Sequence, residues 1–262
     1  MDLGLEGKVV VITGGGGAIG SAIAAQFARE RAVVVVTGRH LDTLEKTITS
    51  IREEGGMADG VICDVTDSHS VEQMVERVVT EFGSLVILVN NAGINGSNEY
   101  RQKIYDYDDG LWDRILHTDL YGVYNCSKYA IRQMRKQKTK GNLVNISSVA
   151  GVQPLRLQIG FTAAKAGVIN MSKAMALEMA EEGVRINVIC PGSIMFEGTK
   201  KLFYNDKDKA EKMMAAIPVH HPGEPSDIAC AACFLASDKV SPYTTGEVMV
   251  IDGGWSSSIR YF

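Results

Sequence analysis

The stretch 145–165 contains two side chains that can take part in proton transfer, and an aromatic ring four residues before one of them. Ser148 carries a hydroxyl, Lys165 carries an ammonium, and Phe161 precedes the lysine by four residues. A spacing of four on a helix puts residues 161 and 165 on one face. A ketone that accepts hydride becomes an alkoxide, and this needs a proton from a group within hydrogen-bond reach. The phenylalanine ring has no proton to give, so it cannot act as the general acid of such a reaction.

A glycine-rich turn near the start of the chain predicts a dinucleotide site. Four consecutive glycines follow Thr13, after a short apolar run and directly before a helical pattern. In that context glycines let the main chain approach a pyrophosphate, whose charge is met by free N–H groups and the positive end of the helix. The residues that we predict to contact the cofactor here are Gly14, Gly17, Ala18, Ile19 and Gly20.

Further landmarks extend the pattern along the chain. Asp64 follows the third predicted strand, the run Asn90, Asn91, Ala92, Gly93 follows the fourth, and Pro191 with Gly192 follows the sixth. With the glycine turn, Ser148 and Lys165, they resemble the short-chain dehydrogenase/reductase family over residues 7–254. The catalytic tyrosine of that family falls at Phe161. The resemblance implies an oxidoreductase that interconverts a secondary alcohol and a ketone with NAD(P)(H).

The resemblance also implies roles for individual residues. Ser148 would orient the substrate oxygen, and Lys165 would lower the pKa of the tyrosine and hold the nicotinamide ribose. The further cofactor contacts that it implies are Asp64 and Val65 beside the adenine, Asn91, Ala92 and Gly93 on the nicotinamide side, and Pro191, Gly192 and Ile194 at the nicotinamide ring.

Two explanations account for Phe161. An engineered Tyr-to-Phe change would keep the shape of the ring and remove general acid catalysis, which is typically worth roughly a hundred- to ten-thousand-fold in rate. A natural protein that binds cofactor without turnover is the alternative. We favour the engineered change, because Ser148 and Lys165 are both retained beside it.

Two other positions depart from the family pattern. Asp119 stands where the family has a catalytic asparagine. Its carboxylate would favour the charged form of Lys165, and a buried structural aspartate is the alternative interpretation. Phe196 stands where the family often has a threonine on the nicotinamide carboxamide, and Thr199 comes later, so the loop is rearranged or that contact is lost.

The end of the second predicted strand indicates the choice of cofactor. An acidic side chain there would bind the ribose 2'-hydroxyl and repel a 2'-phosphate. The chain has Gly38 and then Arg39, whose guanidinium is suited to a phosphate. We therefore predict NADP(H) in preference to NAD(H), with NAD(H) as the alternative. If Arg39 has no role in binding, it is simply a solvated arginine at the end of a strand.

Two irregular stretches, 94–109 and 193–222, are predicted to wall the substrate site. The first carries Glu99, Tyr100, Arg101, Lys103, Tyr105 and Tyr107, the second is flanked by Lys200, Lys201, His220 and His221, and the segment before Phe161 adds Gln153, Arg156 and Gln158. Donors and aromatic faces favour a sugar, a sugar acid or another polyhydroxylated or anionic small molecule. The alternatives are a hydroxysteroid or bile acid, a 3-oxoacyl thioester, or no catalysis at all in a dinucleotide-binding protein.

The elements that must position these residues follow from the apolar pattern. Short β-branched runs alternate with helical segments, which predicts an α/β fold of the doubly wound Rossmann type: one domain over 1–262, with a seven-stranded parallel sheet and helices on both faces. The predicted strands start near Lys8, Val33, Gly60, Leu85, Asn142, Arg185 and Glu247, and the clearest helices cover 18–31, 41–54 and 68–82.

Composition excludes several classes of protein. A net charge of -4 argues against nucleic-acid binding, and no apolar run approaches the length of a membrane span. The start of the chain lacks the positive charge of a signal peptide, and five cysteines are compatible with a reducing cytoplasm. Cys230 and Cys233 form a lone C-x-x-C, for which we predict no metal. The family resemblance implies a homotetramer formed through 120–136 and 161–182, and the tail 259–262 is either tucked against a neighbour or frayed.

Overall fold

The computed structural model describes residues 1–94 and 101–258, and in them the predicted doubly wound fold is confirmed. Seven strands form one sheet in the order β3-β2-β1-β4-β5-β6-β7, and every pairing is parallel. The order in which successive strands join the sheet reverses between β1 and β4, because β2 and β3 lie on one side of β1 and the later strands lie on the other. In open α/β sheets, ligands bind at such a point, outside the carboxyl ends of the strands.

The strands and helices alternate along the chain. The strands are β1 (Val9–Thr13), β2 (Val33–Gly38), β3 (Met57–Ile62), β4 (Ile87–Asn90), β5 (Gly141–Ile146), β6 (Val184–Pro191) and β7 (Val248–Ile251). The helices are α1 (Ala18–Arg29), α2 (Leu41–Glu53), α3 (Ser68–Phe82), α4 (Asp109–Leu116), α5 (Gly122–Gln137), α6 (Val149–Val152), α7 (Ile159–Met179), α8 (Glu197–Thr199), α9 (Lys207–Ala216) and α10 (Pro225–Ala236).

Apolar side chains on both faces of each central strand explain why the sheet is buried between two helical layers. Along β1, Val10 and Ile12 face the layer formed by α1, α2 and α10, whereas Val9 and Val11 face the layer of α3, α5 and α7. All five residues of β1 are buried. A strand buried on both faces reads as a continuous apolar run, and the sequence shows this pattern.

Two sequence predictions need correction. β3 begins at Met57, three residues before the predicted Gly60, and its first residue is exposed. The stretch 193–222 is largely helical rather than irregular, with α8, a π-helical turn at Lys200–Tyr204, and α9. Asp206 caps α9 by accepting a hydrogen bond from the Lys209 N–H at 3.0 Å, a local start signal for a helix.

Some predicted features lie outside the described residues. These are Glu99 and Tyr100 in the first substrate wall, and the tail 259–262. In the described ranges no helix is both long and apolar enough to cross a membrane. All five cysteines are free thiols, of which Cys230 is exposed and the others are buried.

Candidate active site

The glycine turn between β1 and α1 is built so closely that side chains are excluded. Gly14 has a φ of +64°, and a Cβ there would lie 2.9 Å from the Cα of Ala92. A Cβ on Gly20 would collide with the carbonyl oxygen of Gly14. Two of the predicted glycines are therefore required by close approach of the main chain, before any cofactor contact is considered.

Thr13 and Asn91 hold this turn against the end of β4. The Thr13 hydroxyl oxygen accepts hydrogen bonds from the N–H groups of Asn91 and Ala92, both at 3.0 Å. The Asn91 side-chain amide donates to the carbonyls of Thr13 and Gly14, at 3.0 and 3.1 Å. Thr13 was missed as a functional residue, since a threonine at a strand end carries no distinctive signal of its own.

The turn opens into a cleft whose chemistry fits a dinucleotide. Gly17 precedes α1 without a side chain to cap it, so N–H groups of the first helical turn are free for a phosphate. In the described part of the chain no carboxylate lines the cleft. The lining residues are Gly14, Gly16, Gly17, Ala18, Ile19, Gly20, Gly38, Arg39, His40, Thr43, Leu44, Asn91, Ala92, Gly93 and Phe196.

Asp64 and Val65 do not line this cleft. The Asp64 carboxylate accepts hydrogen bonds from the N–H and the hydroxyl of Thr66, at 2.9 and 2.8 Å. Val65 is buried, and its carbonyl accepts a hydrogen bond from the Asn125 amide at 2.9 Å. Both residues thus have local structural partners, and their contact with an adenine stays a prediction.

A second cavity of about 400 Å³ adjoins the cleft and brings the predicted catalytic residues together. We call it the catalytic cavity. The predicted site residues that line it are Ile19, Asn91, Gly93, Asp119, Ser148, Phe161, Lys165, Pro191, Gly192 and Ile194. They come from the carboxyl ends of several neighbouring strands and from α7, which is the placement expected of a ligand site in this fold.

Ser148 caps the short helix α6 directly after β5. Its Oγ accepts a hydrogen bond from the Ala150 N–H at 3.1 Å, so its own proton can be donated into the catalytic cavity. The neighbouring Ser147 donates to the Lys165 carbonyl at 2.8 Å and so ties α7 to the end of β5. Serine and lysine are thereby fixed relative to one another by the main chain.

Phe161 and Lys165 lie one helical turn apart on α7 and are both buried. The Lys165 Nζ is 5.6 Å from the centroid of the Phe161 ring and donates to the Ile146 carbonyl at 3.3 Å. The ring packs in a small apolar cluster with Leu111 and Ala164. The described cavity wall at this place is therefore an aromatic face beside a buried ammonium.

Asp119 is fully buried in a π-helical turn, His117–Tyr121, that joins α4 to α5. Its Oδ1 accepts a hydrogen bond from the Ile94 N–H at 2.8 Å, and its Oδ2 lies 3.1 Å from the Lys165 Nζ. Burial raises the pKa of this carboxyl, against the opposing effects of Lys165 and the Ile94 N–H. Asp119 therefore combines the two alternatives left open by the sequence, because it is both buried and paired with Lys165.

The segment after Pro191 places an aromatic ring between the two cavities. Phe196 lines both the dinucleotide cleft and the catalytic cavity. Thr199 lines the catalytic cavity too, but its hydroxyl donates to the Ile194 carbonyl at 2.5 Å. The chain thus has a threonine at the cavity, held by its own loop rather than directed at a ligand.

The predicted substrate residues divide into two groups. Arg101, Arg156 and Gln158 line the catalytic cavity. Gln153 follows α6 as an exposed residue and is absent from the lining. The other exposed residues outside the lining are Lys103, Tyr105, Lys200, Lys201, His220 and His221.

The remaining wall is more apolar than the sequence predicted. The residues that form it are Leu155, Phe196, Leu202, Phe203, Met213 and Trp255. Apart from Phe196, they were not singled out from the sequence, because they are scattered over three segments and only the tertiary fold brings them together.

Comparisons with known proteins agree with this geometry. A family model described as enoyl-(acyl carrier protein) reductase matches residues 16–256. The chain belongs to the short-chain dehydrogenase/reductase family, and it is an oxidoreductase of the class that acts on CH–OH groups.

Individual relatives cover nearly the whole chain. It is 38% identical to a 3-oxoacyl-(acyl-carrier-protein) reductase of Thermotoga maritima, over 95% of this chain and 98% of that protein. It is 33% identical to glucose 1-dehydrogenase 2 of Bacillus subtilis, over 95% of each. A solved structure of a variant of actinorhodin polyketide ketoreductase with NADPH superimposes with a TM-score of 0.88, at 28% identity over 96% of this chain and 98% of the other.

Proposed function

We propose that this chain, as a single Rossmann-type domain, binds NADP(H) in a site for interconverting a secondary alcohol and a ketone, and that Phe161 largely disables the reaction. The observation that carries the proposal is that Ser148, Phe161 and Lys165 line one cavity, which adjoins the glycine cleft. Bound NADP(H) would supply or accept a hydride there. The protein would supply position, proton transfer and exclusion of water.

Ser148 and Lys165 retain their parts in this chemistry. The Ser148 hydroxyl has its proton free to donate to a substrate carbonyl oxygen, which would hold that oxygen in the cavity. The Lys165 ammonium lies where it would stabilise a phenolate one helical turn away. Phe161 has the ring of a tyrosine without its hydroxyl, so the alkoxide formed on reduction has no side-chain proton donor at that position.

Arg39 and Gly38 support NADP(H) over NAD(H). Both line the cleft at the end of β2, and no carboxylate lines it in the described ranges. An exposed guanidinium at this place would pair with a 2'-phosphate. The ketoreductase with NADPH adds a family precedent, and NAD(H) stays the alternative.

The cavity wall favours an anionic substrate over a purely polyhydroxylated one. Two arginines, Arg101 and Arg156, line it among mostly apolar neighbours. A sugar acid would pair with the arginines. A 3-oxoacyl compound or a bile acid would also bury apolar surface against the apolar part of the wall. The relatives that act on an oxoacyl thioester or on glucose keep both groups of substrate open.

A protein that binds the dinucleotide without turnover is the second candidate function. It is favoured by the ion pair between Lys165 and Asp119, both less than 5% exposed. In this pair the Asp119 carboxylate offsets the charge of the Lys165 ammonium, which would otherwise lower the pKa of a phenol at position 161. In this case Phe161 is natural rather than engineered.

We further propose a cytoplasmic homotetramer. The faces of α5 and α7 carry exposed apolar side chains, with Tyr124 at 45% and Leu177 at 82% exposure, as expected for surfaces covered by a neighbouring subunit. Five free thiols fit a reducing compartment.

The experiment that tests the function compares the Phe161→Tyr variant with the chain as given. Nicotinamide absorbance is followed with NADP⁺ and NAD⁺ over sugars, sugar acids, polyols, hydroxysteroids and 3-hydroxyacyl compounds. We expect turnover only in the tyrosine variant, and the Phe161→Leu variant serves as a control for altered packing. Cofactor binding without turnover in every variant would favour the non-catalytic function.

A further inference from the structure

The catalytic cavity continues into a second cavity of about 360 Å³, which we call the basic cavity. The two share Arg101, Leu202, Phe203, Met213 and Trp255. Neither Ser148 nor Lys165 lines the basic cavity. A ligand that filled both would therefore have one end at the proposed reacting centre and the other end beyond it.

The basic cavity has a strong excess of positive charge. Arg101, Lys209 and Lys212 line it, and no acidic side chain of the described ranges does so. Within those ranges none of the three cations forms an ion pair, whereas Lys201 nearby on the same segment is paired with Glu197 at 3.3 Å. The positive charge of the cavity is therefore available to a ligand.

In the part of the chain that the structure describes, Arg101 contacts an aromatic ring through its guanidinium and forms no ion pair with a carboxylate. Its guanidinium carbon lies 4.8 Å from the centroid of the Phe203 ring, so the residue bridges the two walls predicted from the sequence. Burial lowers the pKa of this group. Stacking occupies the face of a guanidinium and leaves its N–H edge for a planar oxyanion. A partly buried cation that has no counter-ion among the described residues is costly, and a bound anion would remove that cost.

Apart from Arg101, the side chains that line both cavities are apolar or aromatic. Leu202, Phe203, Met213 and Trp255 line both cavities, and Leu155 lines the catalytic cavity alone. Hydroxyl groups along a ligand would lose hydrogen bonds to water there without gaining partners. The middle of the ligand is therefore expected to be a hydrocarbon chain or ring.

We propose that the basic cavity is a subsite for the carboxylate or phosphate of an elongated substrate. The apolar middle of this substrate would lie along the wall that the two cavities share, and its carbonyl or hydroxyl end would reach Ser148. Arg101 binds the anion through its N–H edge, and Lys209 and Lys212 add charge at the mouth. The identity of the reacting end rests on the proposed function, whereas the binding of the anion does not.

Trp255 provides a direct reading of binding, because it lines both cavities and the chain has one other tryptophan, Trp112. In the Trp112→Phe variant saturated with NADP⁺, fluorescence titrations compare 4-phenylbutanoate, 4-phenylbutyl phosphate and neutral 4-phenylbutanamide. We expect at least one anion to bind about tenfold more tightly than the amide, as hydrogen bonds to charged groups imply. The preference should weaken as salt is added.

Substitutions then assign the preference to the basic cavity. Arg101→Met keeps the apolar stem and should reduce the affinity for the anions to that for the amide. The Lys209→Gln/Lys212→Gln pair should lower it less, and it provides a second test if Arg101→Met does not fold. The control is Lys207→Gln, which removes the same charge from an exposed position of α9 outside the cavity. It should bind as the parent does.

Two results would overturn the subsite. One is equal affinity for the anions and the amide, and the other is an anion preference that survives both Arg101→Met and the double lysine variant. These readings need no turnover, so they are independent of the Phe161→Tyr assay. Equal affinity for the anions and the amide, in a protein whose tyrosine variant oxidises neutral polyols, would leave the oxidoreductase function standing and refute the subsite. An anion preference without turnover in the tyrosine variant would support the subsite and count against the oxidoreductase function.

Discussion

The two halves of the ligand edge differ in what holds them together. The glycine half comprises β1, α1, β2 and the turn Asn91–Gly93, and it is fixed by close main-chain contacts around Gly14 and Gly20, together with the side-chain hydrogen bonds of Thr13 and Asn91. The catalytic half comprises Asp119, Ser148, α7 and the segment after Pro191, and it is held by side chains and the buried Asp119–Lys165 pair. Main-chain geometry tolerates few residue types, whereas a side-chain site keeps its shape when one hydroxyl is exchanged. We therefore expect cofactor binding and catalysis to be separable in this chain.

The largest effect is expected where the glycine half is broken. In Gly20→Ala the new methyl meets the Gly14 carbonyl oxygen and lies 2.7 Å from the Asn91 Nδ2. Overpacking of this kind typically costs about 1–3 kcal/mol of stability, and we expect loss of NADPH binding. Thermal unfolding and NADPH fluorescence measure the two effects.

The matched control is Gly110→Ala on α4, whose Cβ would be at an ordinary distance, 3.4 Å, from Asp108. It should bind NADPH as the parent does. Unchanged NADPH binding by Gly20→Ala would show that the turn is less rigid than its contacts indicate.

A smaller effect is expected from Arg39, which directly follows β2 of the glycine half. Arg39→Gln removes the guanidinium that lines the cleft. We expect about a tenfold weaker affinity for NADPH, the size of a lost charge-assisted contact, and an unchanged affinity for NADH. NADH is the internal control. Equal changes in the affinities for NADPH and NADH would mean that Arg39 contacts the adenine or the solvent rather than the 2'-phosphate.

The smallest effect concerns the pair in the catalytic half and is read as a pH profile. In the Phe161→Tyr background, the carboxylate 3.1 Å from Lys165 offsets the ammonium that would favour the phenolate. Asp119→Asn removes that offset, so the pKa of the introduced phenol should fall. Alcohol oxidation needs the phenolate, and its rising limb in kcat/KM should therefore move to lower pH.

Asp113→Asn removes the same charge from an exposed position of α4 and should leave the profile in place. Identical profiles with and without Asp119 would mean that the pair has no electrostatic effect on the reaction. A lower unfolding temperature of Asp119→Asn is expected as well, because it leaves Lys165 buried without its counter-ion.

The sequence predicted the fold better than the site. β-branched runs and the glycine turn are local signals, and they predicted the seven-stranded parallel sheet and the glycine turn after its first strand. The Asp119–Lys165 pair joins residues 46 positions apart and was expected only through the family resemblance. The contact between Arg101 and Phe203 joins two separate walls and was not predicted. No periodicity encodes such contacts. The apolar lining of the cavity was mispredicted for the same reason, because exposed donors in a segment do not reveal which side chains turn inward.

The central claim is that one missing hydroxyl separates a working dinucleotide site from catalysis. The most direct measurement determines the NADPH Kd and the turnover rate side by side for the chain as given and for Phe161→Tyr. We predict the same Kd in both and a rate higher by roughly a hundred- to ten-thousand-fold in the variant. Equal rates, or a Kd that changes as much as the rate, would contradict the account.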